Sequence, residues 1–190
     1  NHTAANSMGS DAVDLNNDGL DDVVEVDMAP QDSYRKKMMQ GPLSYQMYQN
    51  TDLFGYQYQY PRNMLQVNLG PAPGENDSLS HPVFSEQGFF AGIAETDWSW
   101  TPFFVDLDND GYKDIFITNG YLRDFTNLDF MKYTSTVYNE AKVANKPVDY
   151  LNLIQQLPTT RLRNYVFKNI SGIEFRNSTD DWGLTHQSVS

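Results

Sequence analysis

The stretch "DLNNDGLDDVVE", Asp14 to Glu25, decides how this chain is read. It carries acidic or amide side chains at positions 1, 3, 5 and 9 of a loop, Gly at 6 and Glu at 12, the pattern of an EF-hand calcium loop. Its counterpart "DLDNDGYKDIFI", Asp106 to Ile117, is identical at positions 1, 2, 4, 5, 6 and 9 and keeps an oxygen-bearing side chain at 3, but has Ile117 at 12. An EF-hand needs a helix on each side and a bidentate Glu at position 12. The segments "TPFFVDL" and "DIFITN" around the second loop are instead rich in branched and aromatic residues without helical spacing. Glu25 is therefore a strand residue that coincides with the motif, and each loop joins two strands.

The duplication extends beyond the loops. "NMLQVNLG" from Asn63 is echoed by "NYVFKNIS" from Asn164, and "FSEQGFFAGI" from Phe84 more loosely by "FRNSTDDWGL" from Phe175. Acidic loop, strand, insertion, a strand bracketed by Asn, and a final Phe-led segment thus occur twice, a tandem repeat. In "VVEVDM", Val24, Val26 and Met28 fall on one face and Val23, Glu25 and Asp27 on the other, the alternation of a half-buried strand. Residues 31–50 and 127–157 are rich in helix formers and read as helical insertions. "GP" at Gly41 and Pro42 breaks the first, and Pro147 is expected to start a second helix in the other.

Calcium takes six to eight hard oxygen ligands at about 2.3–2.6 Å, and alternating Asp and Asn around a sharp Gly turn supply them. The first loop offers Asp14, Asn16, Asp18, the Leu20 carbonyl and Asp22. The second offers Asp106, Asp108, Asp110, the Tyr112 carbonyl and Asp114. A solvated turn also favours Asp, Asn and Gly, but does not demand Asp at positions 1, 5 and 9 in two copies. Three carboxylates in the first proposed shell and four in the second repel without a cation. By charge alone the second loop should bind calcium more tightly.

Composition agrees with a cation-binding β protein. Aromatics make up 14% of the 190 residues, including 12 Tyr and 11 Phe, a content suited to strands. With 13 Lys and Arg against 25 Asp and Glu, the net charge of −12 disfavours nucleic acid and anionic membranes as partners. There is no Cys, hence no thiolate metal site. No apolar run reaches the roughly 18 residues of a membrane span, and the opening "NHTAANSMGS" has no signal-peptide core.

The loop and strand motifs resemble the FG-GAP/VCBS repeat, the calcium-loop β-propeller blade also found in integrin α-chain heads. "SMGSDAVDLNNDGLDDVVEVDM", "TDWSW" and "ITNGYLRDFTNLDFMKY" are similar to bacterial surface proteins that join such repeats to an ASPIC/UnbV-type domain. The resemblance implies two blade equivalents, residues 7–93 and 98–184, within a propeller of about seven blades. It implies a mainly β fold, a fragment of a longer chain, and missing blades or a partner protein that cover the open edges. It also implies an extracellular or outward-facing outer-membrane location, with glycan or protein binding or scaffolding as the role.

Other residues are candidates for a ligand face. Trp98 and Trp100 share a face if extended, as do Tyr56, Tyr58 and Tyr60. Packing between blades is the preferred account of them, because aromatics dominate core packing. Met38, Met39 and Met47 are expected to fill a core, and Arg35 to Lys37 to form a solvated basic spot. His2, His81 and His186 fall in no triad or metal spacing, and neither G-x-S-x-G nor a phosphate-cradling Gly loop is present. The chain therefore reads as a non-enzyme, with a calcium-assisted polysaccharide lyase or hydrolase as the alternative.

Overall fold

The computed structural model describes residues 2–39, 41, 45–72 and 81–188. The helix break expected at Pro42 lies outside the described residues. The protein is mainly β, 33% strand against 22% helix, and its sheets curl into a half-barrel. The first part of the chain comprises β1 (Thr3–Ala4), β2 (Gly9–Val13), β3 (Asp22–Val26), β4 (Met28–Ala29), α1 (Ser33–Met38), α2 (Tyr45–Leu53), β5 (Gln59–Tyr60), β6 (Met64–Pro71) and β7 (Pro82–Glu86). The second comprises β8 (Asp97–Val105), β9 (Asp114–Asn119), α3 (Leu128–Ala144), α4 (Tyr150–Gln155), β10 (Leu162–Arg163), β11 (Tyr165–Asn169), β12 (Phe175–Asn177) and β13 (Gln187–Ser188).

Two antiparallel sheets carry the two acidic loops. One has the order β2-β3-β6-β7, the other β12-β11-β9-β8-β4. In each, four strands follow one another as hydrogen-bonded neighbours, with the acidic loop between the first and second and the helical insertion between the second and third. Strands therefore flank both loops, which excludes the EF-hand. Glu25 lies in β3 opposite Ser10 and Met64, outside the loop.

The two sheets meet through one core. Leu15, Val24, Val26, Leu65, Val67 and Ile93 of the first unit pack with Ile115, Ile117, Tyr165, Phe167 and Phe175 of the second. Each large aliphatic side chain buried there stabilises the fold by about 1.5–3 kcal/mol before cavity effects. At the closest approach of β2 to β8, a Cβ on Gly9 would collide with the Trp100 carbonyl, so only glycine fits.

The expected alternation of β3 holds through Val26 and then stops. Asp27 is fully buried, accepting hydrogen bonds from the Asn6 amide and side chain, while Met28 is half-buried. The chain leaves the first sheet there, and Met28 and Ala29 pair with Trp98 and Asp97 of β8 in the other sheet. A register shift between Ser99 and Thr101 likewise separates the two tryptophans: Trp98 is buried against Tyr121 and Phe125, whereas Trp100 is 40% exposed.

The insertions are helical but lie on the surface, since α1, α2 and α3 bury no residue. Of the methionines expected in a core, Met39 is buried and Met47 is exposed. Pro147 does not open the helix; Asp149 caps α4 by accepting from the Asn152 amide. Tyr58 and Tyr60 lean on Tyr48 of α2, while Tyr56 is exposed beside Phe54.

Arg35 corrects the expected solvated basic spot. Its guanidinium bonds Asp97 at 2.5 and 3.0 Å, Asp124 at 2.9 Å and the Tyr121 hydroxyl, anchoring α1 to the second unit. Burial raises the Tyr121 phenol and would raise the Asp124 carboxyl too, but Asp124 ends below its ordinary value because Thr126 and Arg35 stabilise its charge. Asp97 takes a left-handed backbone conformation, φ 71°, unusual for a non-glycine residue, and both its carboxylate oxygens are held by Arg35.

Candidate functional site: two acidic loops

The loops owe their shape to Asx turns and two left-handed residues each. Asp14 accepts from the backbone amides of Asp18 and Gly19 at 3.0 and 2.8 Å; Asp106 accepts from those of Asp110 and Gly111 at 3.1 and 3.0 Å. Asp18 accepts from the Leu20 amide, and Asp110 from that of Tyr112. Asn17 and Asn109 have φ of 61° and 58°, Gly19 and Gly111 of 86° and 92°. Asn and Gly tolerate that region best, which is why the loop spells N-D-G.

The position-9 aspartates latch each loop to the third strand of its sheet. Asp22 is fully buried and accepts from the Leu15 and Asn68 amides; Asp114, equally buried, accepts from those of Leu107 and Asn169. Burial, reinforced by the neighbouring Asp14 and Asp18 or Asp108 and Asp110, raises both carboxyls above their ordinary value. Each oxygen has a further lone pair beyond the one that its amide uses.

Two pairs of asparagines complete the scaffold and were not singled out as site residues. Asn68 and Asn169 donate to the backbone carbonyls of Asp21 and Lys113, tying each loop's end to its sheet. Asn63 and Asn164 accept from the amides of Asp27 and Asn119. Their signal in the sequence is the repeated N-x-x-x-x-N of "NMLQVN" and "NYVFKN".

In the second loop, Asp106, Asp108 and Asp114 each bring a carboxylate oxygen within 4.8 Å of the others. Asp110 is not in that group: it faces Lys168 at 3.2 Å, and Lys168 also bonds Asp108. The Tyr112 amide first, then Lys168, hold the Asp110 carboxyl below its usual range, and the two aspartates raise the Lys168 amine. In the first loop Asn16 replaces Asp108 and donates to Asp18 at 2.9 Å, so this loop offers an amide carbonyl where the second offers a carboxylate. Both donor sets consist of oxygen alone, the chemistry hard divalent cations select.

The loops also touch one another. The Asn17 side chain donates to the Gly111 carbonyl at 3.3 Å, and Asn169 donates to the Leu15 carbonyl at 3.2 Å. Gly172 has φ of 93°, and a Cβ there would sit 2.9 Å from Asn16 Cβ, so the first loop rests directly on the second unit's backbone. Compared with protein-family models, curated proteins and solved structures, the chain matches none of them.

Proposed function

We propose that the chain forms two consecutive blades of a larger, calcium-stabilised β-propeller of the FG-GAP/VCBS kind, carried on an exported bacterial surface protein. The observation that carries this reading is the duplicated loop, held by the same aspartate-to-amide bonds between the first and second strands of two four-stranded meanders. Asp14, Asn16, Asp18, Asp22 and the Leu20 carbonyl would hold one calcium ion. Asp106, Asp108, Asp110, Asp114 and the Tyr112 carbonyl would hold another. Each ion would neutralise carboxylates that otherwise repel, a structural rather than catalytic role.

A covering blade or partner protein is supported by apolar exposure in the second unit, where Phe103 and Val105 of β8, Leu107 in the loop and Leu184 after β12 are 38–50% exposed. Binding or scaffolding of a glycan or protein at the outer membrane is the function this architecture suits. Thermal melting with and without calcium tests the reading. Saturation at about 100 times Kd should add about 2.7 kcal/mol per site, and a chelator should remove it. An unchanged Tm in calcium and in chelator would sink the calcium role.

A further inference from the structure

Charge counting ranks the second loop as the tighter calcium site, with four carboxylates against three. Lys168 removes that advantage. Its ammonium bonds Asp108 and lies 3.2 Å from Asp110 Oδ2, so four carboxylates less one ammonium leave three net negative charges, the same as the first loop. The equivalent position on β6 is Val67, which is buried in the core and cannot reach the first loop's aspartates. Lys168 has no cationic counterpart on the third strand of the first sheet, where Val67 stands.

We propose that Lys168 is a built-in competing cation at the second loop, so that calcium enters only as the ammonium leaves. The inference rests on the calcium reading above. An ammonium on Asp108 and Asp110 stands among the oxygens a divalent ion would share, and like charges at about 4 Å repel strongly. Lysine is well suited to such competition, because its charge is a compact point on a flexible four-carbon stem that can swing away without moving the strand. Its side chain is 25% exposed, so solvent is open to it. The consequence is a second loop that keeps its shape without metal and takes calcium more weakly than its carboxylates imply.

Calorimetric titration of the 190-residue chain with calcium chloride tests this, comparing wild type, Lys168→Met and Lys168→Arg. Lys168→Met should tighten one of two sites about tenfold or more and leave the other unchanged, and Asp106→Asn should abolish the tightened one. Lys168→Arg, which keeps the charge, should stay near wild type. Acetylation of Lys168 followed by mass spectrometry gives an independent readout, with slow modification in chelator and faster modification in calcium. Wild-type affinities at both sites in Lys168→Met, or calcium binding without change in Lys168 acetylation, would overturn the proposal. No calcium binding by wild type or Lys168→Met would instead remove the calcium reading and this inference with it.

Discussion

Leu15 and Leu107 hold the same position in two loops that share their aspartate-to-amide bonds, yet Leu15 is fully buried and Leu107 is 44% exposed. Ile93 and Leu184, at matching ends of the two units, differ in the same way, 0% against 40%. Around the two leucines the loop sequence is largely retained, so the difference there comes from what lies next door. Leu15 is covered because the second sheet packs over the first, and nothing among the described residues does the same for the second. Burial at these positions belongs to the boundary between the two sheets, where the shared core lies.

Paired substitutions can break or sharpen that comparison. Leu15→Ala should destabilise by about 2–5 kcal/mol in denaturant unfolding, whereas Leu107→Ala should stay within about 0.5 kcal/mol. Equal losses would mean the loops are stabilised locally and the boundary matters little. The asparagine pair should separate less. Asn169 is buried and bonds the carbonyls of Leu15, Lys113 and Gly172, so Asn169→Ala should cost about 1–3 kcal/mol. Asn68→Ala should cost less, because its bond to the Asp21 carbonyl is exposed and reaches no second unit.

The smallest effect is a dependence on pH that both loops should share. Burial raises Asp22 and Asp114, so the native state binds protons more readily than the unfolded chain. The stability they contribute is present below the ordinary value of 3.8 and is lost as pH rises through their raised values. Calcium binds only the ionised carboxylates. The rise in Tm on adding calcium should therefore grow as pH climbs through that window and then level off. A rise that is flat with pH would show that these two residues do not titrate against the ion.

Much of the β framework was legible because its signals are local. The loops announce themselves through Asp and Asn spacing around Gly19 and Gly111, and β8 and β9 through branched and aromatic runs. What stayed hidden depends on partners far along the chain. Arg35 looks like part of a basic spot until Asp97 and Asp124 are folded beside it. Lys168 reads as an ordinary strand residue, and only the pairing of β11 with β9 sets it over Asp108. The unequal burial of Trp98 and Trp100 follows from a register shift that a two-residue alternation does not encode.

The two-residue strand β4 has a mechanical consequence. It belongs to the first unit in sequence but to the second in pairing, with Met28 and Ala29 bonded to Trp98 and Asp97, and the Arg35 ion pairs follow only a few residues later. The halves are thus clasped by an exchanged strand, and cutting the chain between Ile93 and Asp97 would leave them joined. Heated or pulled, the pair should come apart in one cooperative step, with no stage in which one repeat stands while the other has melted.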